Sequence, residues 1–289
     1  MYNNLIKLIF DVAPFGFNQA SEQLMNFVNK TDDLLGIVQQ IGTIPEAIAH
    51  DSTEEKLFSK ASDAILSRVF QELGLKSAII TGRADTADVV AQSPIHGYSL
   101  VADAKVFRMS RTAKNQKDFK VNALSGWRKD ADYAVLCSPH FQYPRSTSQI
   151  YKQALDNNVA LISWEHIVFL IKHKIKEDEA INLAPIWNFS GEHAQNVVIS
   201  ESKKCFIPTY SRFIMNYLWH GQDDFNKLLD DQIEIIKQRG IAECSYWESQ
   251  KKQILLYSRE QAVAELIKSK KIDEKISQIG TFVRRLQNA

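Results

Sequence analysis

The sequence predicts an α/β fold, a mixed central sheet flanked by helices, with a helical C-terminal region. Three observations predict it. Short apolar runs of strand length at residues 98–105, 133–137 and 159–163 are separated by stretches with helical spacing, the pattern of a sheet covered by helices. A long amphipathic segment, residues 52–74, precedes them, and beyond residue 203 only helical spacing occurs. The expected division is residues 1–189 as an α/β core with N-terminal helices and residues 190–289 as a helical region used for packing, dimerisation or embracing a partner.

Residues 1–50 place Leu5, Ile6, Ile9 and Phe10, then Leu24, Phe27 and Val28, then Leu34, Leu35, Val38 and Ile41 at three-to-four-residue spacing. This predicts helices, closed by Gly42 and Pro45. Ser52 or Thr53 can cap the next helix, whose buried face carries Leu57, Phe58, Ala61, Ile65, Leu66, Val69 and Phe70 and which stops at Gly74. Glu54 and Glu55 lie in its first turn, where the helix dipole favours acids. One of them can face a metal centre, and periodicity does not choose between them.

From residue 76 to 88 the pattern is a strand, a turn containing Gly82, and a second strand that carries Asp88, with Asp85 read as a loop acid. A turn at residues 93–97 leads into the central strand, and residues 108–128 then take helical character, with Phe119, Ala123, Leu124 and Trp127 as the packing side. Helices around residues 149–155 and 166–174 alternate with the two later strands, and His140 and His166 read as structural or surface residues. Residues 190–201 read as a linker, followed by amphipathic helices at 206–219, 225–237, 246–257, 261–268 and 272–286.

The chemistry centres on the end of the 98–105 strand. Side chains alternate across a strand, so Asp103 and Lys105 share a face with Val101 while Ala104 points away. Other acid-x-lysine triplets occur, at Glu54, Asp118, Glu201 and Asp273, but they lie in polar surroundings, whereas this one ends an apolar strand. With Asp88 on the preceding strand, the residue types suit a hard divalent cation held by carboxylates next to an ammonium, the requirements of phosphodiester hydrolysis.

Composition fits a chain with one sizeable core: 289 residues, 45% hydrophobic and 24% charged. Cys137, Cys205 and Cys244 are too few and too far apart for a disulfide framework or a structural zinc site, which suggests a reducing cytoplasm. No membrane span is expected, nor any organic cofactor. The formal net charge is only +1, but residues 105–120 hold six basic side chains against Asp118, giving +5 there and about −4 elsewhere. Such a patch can steer nucleic acid to one face. Arg111, Lys114, Asn115, Gln116 and Lys117 are the candidates for contact, since arginine and lysine suit guanine or phosphate, and asparagine and glutamine suit adenine.

Residues 52–63 (STEEKLFSKASD), 100–120 (LVADAKVFRMSRTAKNQKDFK) and 132–144 (DYAVLCSPHFQYP) closely resemble the HindIII-type family of type II restriction endonucleases, part of the PD-(D/E)xK nuclease superfamily. The likeness runs from about residue 41 to 187 and is looser beyond. It implies a restriction-endonuclease-like core and a bacterial homodimer that makes Mg²⁺-dependent double-strand cuts in DNA at AAGCTT, leaving 5′ overhangs. It also implies Asp88, Asp103 and Ala104 as metal ligands and Lys105 as the catalytic lysine, and it favours Glu55 over Glu54 as a further catalytic acid. Ala87 stands where the superfamily motif has proline, and Asp103 where it more often has glutamate; both also occur in the HindIII type. The rival expectations are a repair or junction-resolving nuclease of the same fold and a DNA-binding relative that does not cleave.

Overall fold

Three amphipathic helices open the chain, α1 (Tyr2–Val12), α2 (Phe17–Lys30) and α3 (Leu34–Ile41), each burying an apolar stripe. The computed structural model of the chain describes residues 1–80, 87–111, 116–144, 148–196 and 199–287. A two-residue strand β1 (Thr43–Ile44) follows, then the long helix α4 (Thr53–Glu72). Ser52 caps α4 as expected, its hydroxyl accepting the Glu55 N–H at 3.1 Å. The helix is buried on nearly all sides through its middle turns, from Ala61 to Ser67, because it is covered by α2 on one side and the sheet on the other.

The central sheet has five strands in the order β2 (Lys76–Ile79), β3 (Val89–Gln92), β4 (Ser99–Ala104), β6 (Tyr133–Ser138) and β7 (Val159–Ser163). The first three pair antiparallel and the last three parallel, so the sheet is mixed, as the sequence predicted. Strands β6 and β7 are almost wholly buried and correspondingly apolar, the habit of parallel strands covered on both faces. Strand β5 (Phe107–Arg108) leaves the main sheet and pairs parallel with β1. Between β5 and β6 lie α5 (Gln116–Phe119) and α6 (Val121–Trp127); between β6 and β7 lies α7 (Gln149–Asn157); α8 (Trp164–Lys172) follows β7.

Three expectations change here. The helix expected over residues 108–128 is broken: Arg108 ends a strand, and Lys120 takes a left-handed conformation (φ 52°) between α5 and α6. The linker expected at residues 190–201 is largely helical, being the end of α9 (Ala184–Asn196) and the start of α10 (Ile199–Tyr217). Aromatic side chains flanking that polar stretch, Phe189 of α9 with Phe206 and Tyr210 of α10, pack on one another and tie the two helices together. The segments 225–237 and 246–257 join in a single helix, α11 (Gln222–Leu255).

The chain divides into two compact units, Met1–Gln238 and Arg239–Ala289. In the first, Trp187, Phe206, Tyr210 and Phe225 are fully buried, so α9, α10 and the start of α11 share the core of the sheet domain. The second holds the rest of α11 with α12 (Arg259–Ser269) and α13 (Ile272–Gln287), and none of its described residues is buried.

Candidate active site

Asp88 stands immediately before β3, and Asp103 lies one residue from the end of β4. The register pairs Val89 with Ala102, and the next step along that ladder sets Asp88 across from Asp103. A third acid arrives from above the sheet: Asp63 of α4 is buried, and carboxylate oxygens of Asp63, Asp88 and Asp103 all lie within 4.8 Å of one another. Asp103 is the deepest of the strand acids, its side chain 4% exposed, whereas that of Asp88 is 43% exposed and opens the cluster to solvent.

Lys105 continues the line of β4 and donates from Nζ to Asp103 Oδ2. Its backbone is fixed at both ends. The N–H donates to the Cys137 carbonyl at 2.7 Å, and the carbonyl accepts from Trp164 Nε1 at 3.1 Å. Another lysine approaches from α4: Lys60 lies one turn before Asp63, with Nζ 3.9 Å from Asp88 Oδ1.

Crowding three carboxylates under a helix sets their electrostatics. Burial, then the charges of Asp88 and Asp103, push the Asp63 carboxyl well above the usual carboxylate range against the pull of Lys60 and Lys105. Burial also raises Asp103, although Lys105 opposes it. The buried thiol of Cys137 on the neighbouring strand is likewise raised. A cation would relieve this repulsion. The donors fit a hard one, since all three are carboxylates with no histidine or cysteine among them.

A second group of ligand-type residues, His50, Asp51 and Glu55, also converges within 4.8 Å. Here the acids are already engaged. Glu55 accepts the Asp51 N–H at 2.8 Å and the Arg108 guanidinium at 2.7 Å, and His50 Nδ1 lies 3.0 Å from Asp51. Glu55 is thus placed in this group and not with Asp63, Asp88 and Asp103. Eight residues of α4 separate Glu55 from Asp63, a rise of roughly 12 Å. Arg108 also donates to the Pro45 carbonyl at 3.0 Å, so Glu55 anchors β5 where the basic segment leaves the sheet.

Within that segment Arg111 is ion-paired with Asp118, Gln116 starts α5 and Lys117 is exposed on it. Lys114 and Asn115 lie outside the described residues. His166 is buried between Ser163 and Ser211 and stacked on Phe225, and burial holds it neutral; His140 is pushed down to about 4 by burial. Both are packing residues, as expected. Asp63 and Lys60 escaped the sequence reading. Their signal was an acid set among small residues, Ala61, Ser62 and Ala64, in the middle turns of a helix.

Carboxylates gathered beside an ammonium at the end of a sheet strand, with a basic segment following, are equipment for cutting phosphodiesters, and the class that this fold and site define is the nucleases. Comparison with known proteins narrows it. Residues 14–283 match the model of the HindIII restriction endonuclease family. The type II restriction enzyme HindIII of Haemophilus influenzae is 41% identical over 286 residues, covering 98% of this chain and 95% of its own. The chain belongs to the HindIII restriction endonuclease family. The solved structure of the restriction endonuclease FokI matches 60% of this chain and 33% of its own, at 12% identity and a TM-score of 0.37.

Proposed function

We propose that the chain is a type II restriction endonuclease that cuts both strands of a palindromic site in double-stranded DNA, with Mg²⁺ as its cofactor. The observation that carries the reading is the convergence of Asp63, Asp88 and Asp103 next to Lys105 in a chain of this family. Asp88 and Asp103 are the principal ligands, with Asp63 completing the set; Ala104 offers only its backbone carbonyl. Held there, Mg²⁺ would supply Lewis acidity towards a water and the phosphate oxygens. Lys105, braced through its backbone, holds that water by its ammonium or meets the charge that develops at phosphorus. Glu55 serves the basic segment through Arg108, and Arg111, Lys114, Asn115, Gln116 and Lys117 supply DNA contacts.

The working form is a homodimer, because symmetric cuts in a palindrome are made most simply by two copies about a two-fold axis. Support comes from the second unit, where Leu255, Leu256, Val263, Leu266, Ile276 and Ile279 are all exposed. A short helical unit with no buried side chain among its described residues needs a partner surface. The enzyme belongs to the bacterial cytoplasm; among the described residues no helix is long and apolar enough to cross a membrane. The target is AAGCTT, cut to leave 5′ overhangs. Incubation with plasmid DNA and Mg²⁺, followed by sequencing of the fragment ends, tests the cleavage, its target and its stagger. Discrete fragments ending at AAGCTT are expected; a smear would point to a nonspecific nuclease, and intact DNA to a binder that does not cleave.

A further inference from the structure

Lys60 is placed unlike Lys105, Arg108 and Arg111. Lys105 hydrogen-bonds Asp103, Arg108 is paired with Glu55 and Arg111 with Asp118. Lys60 has its side chain 16% exposed, yet its ammonium reaches only to 3.9 Å from Asp88, beyond hydrogen-bonding distance, and among the described residues no acceptor bonds it. An ammonium is compact and strongly hydrated, with three donors to satisfy, so holding one under a helix without a hydrogen-bond partner is costly. The cost is explained if the partner is an external anion.

The position suits such a partner. Lys60 and Asp63 lie three residues apart on one face of α4, so the helix delivers an acid and an ammonium together above the ends of β3 and β4. Asp88, the acid nearest Lys60, is also the most open of the cluster on its strand pair, so the ammonium sits at the entrance and not behind the carboxylates. The charge count agrees. Three carboxylates and the two ammoniums within 4.0 Å of them carry a formal −1; one phosphodiester brings this to −2, which a single divalent cation neutralises. Without Lys60 the same site would retain a negative charge with substrate and cation bound.

Resting on the nuclease reading above, we propose that Lys60 contacts a non-bridging oxygen of the phosphate being cut, from the Asp88 side of the cluster, while Lys105 works from the Asp103 side. Lys60→Gln keeps the length of the side chain approximately and removes its charge; Lys60→Arg keeps the charge. Two quantities are read for each variant: the single-turnover cleavage rate on an AAGCTT duplex at saturating Mg²⁺, and the salt dependence of binding to that duplex in Ca²⁺, with thermal melting as a control for folding. Expected for Lys60→Gln are a rate loss of ~10-fold or more and a salt slope shallower by roughly one unit, with Lys60→Arg near wild type in both. A wild-type rate and slope in Lys60→Gln would overturn the contact. So would a slower rate with an unchanged slope, which assigns Lys60 to the support of Asp88, and a shallower slope with an unchanged rate, which assigns it to a phosphate away from the cut. Failure of the wild-type protein to cleave would instead count against the nuclease reading itself.

Discussion

Two groups of acids meet helix α4, and they differ in what surrounds them. At its N-terminus Arg108 and a backbone N–H occupy the carboxylate of Glu55, and His50 and Asp51 are exposed. Two turns on, Asp63, Asp88 and Asp103 repel one another under the helix, with the carboxyls of Asp63 and Asp103 raised by burial. Both groups would satisfy a count of ligand-type residues within reach. Only the second crowds buried carboxylates against one another, and that repulsion is what a bound cation relieves.

The largest effects should come from the strand acids. Asp103→Asn or Asp88→Asn is expected to reduce cleavage beyond detection while cognate DNA is still retained in a gel shift, since a ligand charge is lost and the base-reading surface is untouched. Near-normal cutting by either variant would erase the distinction between the groups. Lys105→Ala should follow with a loss of ~10²-fold or more in single-turnover rate. A loss below about tenfold would return Lys105 to the role of a structural ion-pair partner.

Asp63→Asn should slow cleavage by ~10-fold or more while raising the melting temperature of the metal-free protein at pH 8. The sign follows from its raised pKa in the fold. A carboxyl that resists ionising in the native state binds protons there that the unfolded chain releases, so its burial lowers stability above its folded pKa and ceases to do so below the ordinary value of 3.8. The advantage of the Asn variant should therefore shrink as the pH falls. An advantage that stays constant with pH would mean the side chain is not the source of the repulsion.

The smallest catalytic effect should belong to Glu55→Gln. Its rate should stay within about threefold of wild type, with ~1–2 kcal/mol of stability lost through the charged hydrogen bond to Arg108. A rate loss matching that of Asp63→Asn would reverse the comparison.

How far the sequence revealed this arrangement depends on where each residue sits. Strand β4 was legible because an apolar run bounded by turns ends in Asp103 and Lys105, and period-two alternation puts them on one face. That Asp88 faces Asp103 needed the antiparallel register, which follows from long-range pairing and not from local pattern. Asp63 was hidden for the opposite reason to Glu55. A first-turn acid with a capping serine stands out in a sequence, whereas an acid in the middle of a helix buried on nearly all sides looks like one polar position on an amphipathic surface. The break in the basic segment was also out of reach, because pairing of Phe107 and Arg108 with β1 overrides the helical spacing of residues 108–128.

The central claim is that the buried group on α4, and not the exposed one, holds the cation. Calorimetric titration of Mn²⁺ or Ca²⁺ into wild type, Asp103→Asn, Asp63→Asn and Glu55→Gln tests it most directly, each protein bound to the same AAGCTT duplex. Binding should vanish in Asp103→Asn, weaken markedly in Asp63→Asn and be unchanged in Glu55→Gln. Loss of binding in Glu55→Gln, with wild-type binding in the two aspartate variants, would contradict it.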